Sequence, residues 1–238
     1  MTIAANLEAI RRCVDAAARR AGRDPQAVAL MAVSKTHPAE AILEAVAAGQ
    51  LLFGENRVQE FAAKHATVAA SGAKFHLIGH LQSNKAARAA ELFDAVDSVD
   101  SLKLAERLNE VAARAGRTLD ILLEVNVGGE EAKSGLAPDA PELLELLRAQ
   151  PRMANLKIKG LMTVPPVGED PAEARPYFRR LRELRDHLRG QCGLALDELS
   201  MGMSHDFEVA VEEGSTCVRV GTAIFGARSY PAPLEETR

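Results

Sequence analysis

Cysteine is scarce in this chain, and long apolar runs, clustered histidines and an excess of one charge sign are all missing. The three cysteines, Cys13, Cys192 and Cys217, are an odd number without metal-type spacing. That argues against a disulfide framework and points to buried thiols in a reducing cytoplasm. The six histidines form no ligand pattern, so no metal site is expected. No stretch approaches the ~20 consecutive apolar residues of a membrane span. The N-terminus, MTIAANLEAIRRCVDAAARRAG, lacks the apolar core of a signal peptide. A formal net charge of −4 provides no broad basic surface, which argues against nucleic acid as a partner.

What is present is enough apolar material, 47% of 238 residues, to bury the core of one large domain. Residues 1–22 place Leu7, Ile10, Val14 and Ala17 at helical spacing, which predicts an amphipathic N-terminal helix. Strand-like apolar runs follow at 28–35, 51–55, 75–79, 95–99, 120–127, 157–164, 198–202 and 217–221. Helix-like segments separate them. Residues 38–48 open on Pro38 and stop before Gly49, the usual asymmetry of a helix. Residues 102–115 carry Leu104, Leu108 and Val111 on one face, and 173–189 carry Phe178, Leu181, Leu184 and Leu188. Pro176 requires the latter helix to begin near 173–175. Eight βα units in this length predict a (β/α)8 TIM-type barrel with an extra N-terminal helix, in one domain over 1–238 with a polar tail at 229–238. The alternative is an open doubly wound sheet, whose dinucleotide version is weakened by the first strand-to-helix turn, SKTHP, which has no G-x-G-x-x-G.

Barrel enzymes carry their chemistry at the C-terminal ends of the strands. Here those ends read Lys35, Asn56, His80, Ser101, Asn126, Thr163, Met203-Ser204 and Gly221-Thr222. Lys35 is the one obvious nucleophile among them, closing the stretch AVALMAVSK. A desolvated lysine has a lowered pKa and an amine able to form a Schiff base with an aldehyde. The competing reading is a lysine that snorkels to solvent. In LSMGMSHDFEVAVEEG, Gly202 ends a strand and Ser204 is placed to cap a helix, and Gly221-Thr222 ends the next strand. Together they read as an anion cradle on strands seven and eight, or separately as a good cap and a tight turn. Arg219 shares a face with Cys217 and Gly221. It points either at a ligand in the barrel or at a buried carboxylate partner.

These stretches carry a family. AVSKTHP, FGENRVQE, FHLIGHLQSNKA, EVNVGGEEAKSGL, IKGLMTVPP and LSMGMSHDFEVAVEEGSTCVRVGTAIFGAR, from about 28 to 228, resemble in order the YggS/PROSC family of pyridoxal phosphate homeostasis proteins. The family is similar in fold to the barrel domain of alanine racemase. The resemblance implies that Lys35 holds pyridoxal 5'-phosphate as a Schiff base, and that Ser204, Gly221 and Thr222 bind its phosphate with Met203 nearby. It further implies that Arg219 faces the pyridine nitrogen and that Asn56 lies near the ring. Some relatives have a tyrosine where this chain has Arg57, and no role is carried over to that position.

An arginine at the ring nitrogen cannot accept a proton and favours a weak electron sink. Racemisation also needs an acid–base group on each face of the substrate. In alanine racemase the second is a tyrosine on another domain, for which this chain has no room, and Tyr177 and Tyr230 are not placed to replace it. The expectation is a monomer that binds or delivers the cofactor, with PLP-dependent apo-enzymes as recipients. A weak amino-acid racemase using Lys35 and an unidentified second base is the alternative, with His80 a candidate for that base only if its ring reaches the opposite face. Lys133, in VGGEEAKSG, reads as a help to phosphate entry or as an ordinary loop lysine.

Overall fold

In a computed structural model, described for residues 2–130 and 133–226, eight parallel strands close into a barrel in the order β1 to β8. They are β1 (Ala29–Val33), β2 (Leu52–Glu55), β3 (Lys74–Leu77), β4 (Ala95–Val99), β5 (Leu119–Glu124), β6 (Leu156–Met162), β7 (Glu198–Ser200) and β8 (Cys217–Val220). The pairing of β1 with β8, from Ala29 opposite Cys217 to Ala32 opposite Val220, completes the ring and removes the open-sheet alternative. Strands end up to three residues earlier than the apolar runs predict. The rim residues therefore lie in the βα loops rather than on the strands. The segment AVDSVDS does form β4, every residue of which is buried.

The helices are α1 (Ile3–Arg20), α2 (Ala39–Ala47), α3 (Val58–Val68), α4 (Ala86–Leu92), α5 (Leu102–Arg114), α6 (Pro141–Ala149), α7 (Arg175–Cys192), α8 (Phe207–Glu212) and α9 (Thr222–Phe225). Local chemistry sets their limits. Thr2 Oγ1 accepts the Ala5 N–H at the start of α1, and Ser101 Oγ accepts the Leu104 N–H at the start of α5. Pro176 falls in the first turn of α7, where its missing N–H costs nothing. Gly193, at φ +68°, ends the same helix. As the spacing predicts, α1 buries Leu7, Val14 and Ala17, while Ile10 is only partly covered. Its last turn is held to α8 by Arg20, paired with Glu208 and Glu212.

Alternation along the strands divides the core into two layers. Outward faces pack against the helices, where Phe53 and Phe75 stack 5.5 Å apart and Phe61 of α3 meets Phe75 and Phe93 at 4.6 and 4.8 Å. Each fully buried phenylalanine contributes about 1.5–3 kcal/mol. Inward faces carry Met31, Gly54, His76, Asp97, Leu122, Glu198, Cys217 and Arg219, so the barrel interior is polar at several levels. Gly160 is required by close approach: a Cβ there would stand 1.8 Å from the Glu198 carbonyl oxygen across β6–β7. The predicted tail, 229–238, lies outside the described residues, as does Tyr230.

Candidate functional site

The residues singled out from sequence gather on four neighbouring strands of the ring: β7, β8, β1 and β2. Lys35 follows β1 by two residues and is half-buried. Alternation from Met31 and Val33 puts it on the inward-facing side. Next to it, the β8–α9 turn passes so close to β1 that a Cβ on Gly221 would lie 3.2 Å from the Val33 carbonyl oxygen. Asn56 directly follows β2 and is half-buried, its carbonyl oxygen 2.4 Å from where a Cβ on Gly79 would sit. A cavity of about 730 Å3 opens beside Asn56, lined also by Arg57, Glu60, His80, Gln82 and Lys85.

The β7 and β8 turns are joined directly: the Gly221 N–H donates to Ser204 Oγ at 3.3 Å. Ser204 is not the helix cap that the sequence predicts. α8 begins three residues later at Phe207, behind Asp206, and Ser204 stands in the preceding turn. The reason is Asp206, whose Oδ1 accepts the Met203 N–H at 2.6 Å and tightens that turn. Gly202 makes the turn possible with φ +95°. Met203 and Ser204 are half-buried, and Thr222 is exposed at the first position of α9. The N–H groups of Thr222 and Ala223 have no hydrogen-bond acceptor among the described residues.

Arg219 is 3% exposed and points into the barrel. It donates to Ser200 Oγ and to the Thr163 carbonyl oxygen, both at 2.7 Å. Both acceptors are neutral, and no carboxylate lies within ion-pair distance of it among the described residues. The buried-ion-pair reading of Arg219 is thereby removed. Burial lowers its pKa from the ordinary guanidinium value, against the attraction of Cys217, Asp97, Asp206 and Glu124.

Other residues fall away from this group. His80 is exposed, with Nδ1 3.2 Å from Asp100. Arg57 is exposed at the start of α3. Lys133 pairs with Glu130 and donates to the Pro165 carbonyl oxygen at 3.2 Å, so it is an engaged loop residue. Tyr177 packs at the edge of the core on α7.

Two buried carboxylates escape the sequence reading. Glu124, at the end of β5, faces inward: Ser134 Oγ donates to its Oε1 at 2.9 Å, Oε2 has no hydrogen-bond partner among the described residues, and burial raises its pKa. Glu55 of β2 faces α3, is fully buried and pairs with Lys64 at 2.8 Å. The signal for both was present, because each closes an apolar strand as Lys35 does.

A parallel barrel with an inward cation, a lysine at the end of its first strand and a glycine-lined turn at its last defines the barrel class of alanine racemase. Residues 5–229 match the family "Alanine racemase, N-terminal domain". Within that class the chain belongs to the pyridoxal phosphate homeostasis protein family. It is 48% identical over 233 residues to the pyridoxal phosphate homeostasis protein of Pseudomonas aeruginosa, covering 98% of each chain. It is 44% identical over 230 residues to that of Aquifex aeolicus, covering 97% of this chain and 100% of the relative. The structure of PipY from Synechococcus elongatus with PLP bound superposes with a TM-score of 0.83 at 43% identity, over 94% of this chain and 100% of that one. An alanine racemase from Clostridium difficile, 14% identical with a TM-score of 0.66, shares the fold over 86% of this chain and 53% of its own length.

Proposed function

We propose that this protein holds pyridoxal 5'-phosphate on Lys35 and serves intracellular vitamin B6 homeostasis by binding and releasing it. The observation that carries this reading is Arg219, a buried guanidinium aimed into the barrel with only neutral acceptors. Such a cation is costly unless a further acceptor completes it. A pyridine nitrogen is one, and the residues around it fit the rest of the group. Lys35 supplies the amine for the aldehyde carbon. Thr222 and its neighbour Ala223 supply backbone N–H groups for the phosphate, beside Ser204 and Gly221, which are already joined by the Gly221 N–H to Ser204 Oγ hydrogen bond. Any Cβ at Gly221 would crowd Val33 of β1, so a glycine lets the β8–α9 turn lie close against β1 beside Lys35. Asn56 and Met203 flank the ring.

Bound there, the cofactor supplies an electron-withdrawing ring to whatever amine is linked at its aldehyde carbon. Arg219 donates and cannot take up the ring proton, so the site favours holding over carbanion chemistry. Turnover would need a second proton-handling group facing Lys35. His80 is engaged by Asp100, and no observation favours it in that role. We take the chain as one cytoplasmic, monomeric cofactor-binding unit that passes its cargo to PLP-dependent apo-enzymes. Sedimentation at several concentrations tests the monomer. No helix among the described residues is long and apolar enough to cross a membrane.

The test is the visible spectrum of the purified protein with pyridoxal phosphate, before and after borohydride, with peptide mapping. A Schiff-base band fixed by reduction onto the Lys35 peptide, and lost in Lys35→Ala, is expected. Labelling scattered over surface lysines would overturn the reading.

A further inference from the structure

Lys35 sits on the short connection from β1 to α2, and the residues on both sides of it are held by three charged side chains from β2 and α3. Lys64 Nζ, on α3, donates to the Ser34 carbonyl oxygen at 3.1 Å and to the His37 carbonyl oxygen at 3.0 Å. It also pairs with Glu55 at 2.8 Å and Glu60 at 3.3 Å. Ser34 Oγ donates to Glu55 Oε1 at 2.6 Å. The Thr36 N–H donates to Glu60 Oε1 at 2.5 Å. Residues 34, 36 and 37 are thus each fixed by the same group, leaving Lys35 as the residue between the anchors.

Two features separate this from a simple bolt between helix and barrel. Thr36 is held at φ +66°, a conformation that a β-branched residue avoids, and it persists only when the surroundings impose it. The Glu60 contact to its N–H does so. Second, the group is expensive as a mere fastener. Glu55 is fully buried and its Oε2 has no hydrogen-bond partner among the described residues, although apolar residues of similar volume commonly hold two elements together as well or better. Furthermore, the His37 ring stacks on Phe225 at 4.9 Å, so the same connection is tied to α9, which begins at Thr222.

We propose that Glu55, Lys64 and Glu60 are positioning residues for Lys35, setting the path of the β1–α2 connection and therefore the direction in which the lysine amine meets the cofactor. The inference rests on the reading that Lys35 carries pyridoxal phosphate. It assigns no contact with the cofactor to the three residues. Lys64 and Glu60 act through the main chain of Ser34, Thr36 and His37, and Glu55 acts through the Ser34 hydroxyl and the Lys64 amine.

The test uses the full chain loaded with pyridoxal phosphate. Glu60→Ala removes the Thr36 anchor at a half-exposed first-turn position where alanine suits the helix. A double variant, Glu55→Gln with Lys64→Met, removes the buried pair without stranding one charge. Two readouts are taken: the pH midpoint of the visible Schiff-base band, and the rate at which the band is lost on dilution. Glu60→Ala is expected to keep its melting temperature, shift the pH midpoint and release the cofactor about tenfold faster, as relief of one strained residue would give. Glu60→Gln, which keeps an acceptor for the Thr36 N–H, is expected to restore wild-type behaviour. Wild-type values of both readouts in Glu60→Ala overturn the proposal, whether or not the double variant folds. Absence of a band on Lys35 in the wild type would instead defeat the cofactor reading itself, so the two failures are distinct.

Discussion

Arg219→Met separates ligand binding from stability. The side chain is 3% exposed and makes two hydrogen bonds of 2.7 Å, to Ser200 Oγ and the Thr163 carbonyl oxygen. Each hydrogen bond from a charged donor contributes about 1.5–3 kcal/mol. Removing both therefore sacrifices roughly 3–6 kcal/mol gross. Against this, the cation has no carboxylate partner, and its withdrawal from water costs several kcal/mol that methionine does not incur. The two effects nearly cancel, leaving a net change within about 2 kcal/mol. For a chain of this size that is a shift of at most about 4–8 °C in the cofactor-free protein. Binding has no such compensation. Loss of one charged hydrogen bond to the ring, about 1.5–3 kcal/mol, weakens pyridoxal phosphate roughly 10- to 150-fold. The assays are thermal melting without the cofactor and titration of the visible band with it. An unchanged affinity together with a melting temperature lowered by much more than about 8 °C would show that the arginine is structural and that the argument from its neutral partners is wrong.

Three further outcomes follow from the geometry. Gly202→Ala places a Cβ 2.5 Å from that of Ala210 at a φ of +95°, and is expected to cost about 2–4 kcal/mol, read as a lower urea midpoint; an unchanged midpoint would contradict it. Burial would raise the Glu213 carboxyl, but Arg179 and Arg175, with the charge of Arg182, outweigh it and hold its pKa below the usual carboxylate range. The stability this gives is present above the unfolded value of about 4.3 and lost as pH falls through the folded one, so Glu213→Gln should flatten the decline of melting temperature below about pH 4. His76 behaves oppositely: burial would lower its pKa, but Asp97 at 3.1 Å raises it. Its contribution is complete below about pH 6.5 and disappears as pH rises through the folded value, so His76→Gln should flatten the melting profile above about pH 6.5.

The barrel was legible because its signal is redundant. Eight apolar runs with helix-like spacers survive errors of a few residues at each end, and even AVDSVDS held its place. Lys35, Asn56, Ser204, Arg219 and Gly221 stand out for a simpler reason, since each interrupts an apolar strand or follows one within four residues. Ser204 was misread as a cap because a serine before an apolar run satisfies the rule for an N-cap, while the competing carboxylate of Asp206 takes hold of the turn only in three dimensions. Lys64 was invisible for the same kind of reason. On sequence it is one more polar residue on an amphipathic helix, and only the approach of α3 to β1 brings its amine against two carbonyl oxygens flanking Lys35.

The interior of the barrel gives the strongest physical ground for a ligand. Arg219 on β8 and Glu124 on β5 both face inward, three strands apart around the ring, and each bears an electrostatic cost: burial lowers the pKa of the first and raises that of the second. Direct pairing would offset much of both costs. Instead each takes a neutral partner, Ser200 and Thr163 for the arginine and Ser134 for the glutamate, and among the described residues one glutamate oxygen remains without any. A fold selected for stability alone would close that gap or fill it with apolar side chains. Keeping a cation and a carboxyl apart, below a rim that carries a lysine and exposed backbone N–H groups, makes sense when a polar molecule with its own donors and acceptors enters between them.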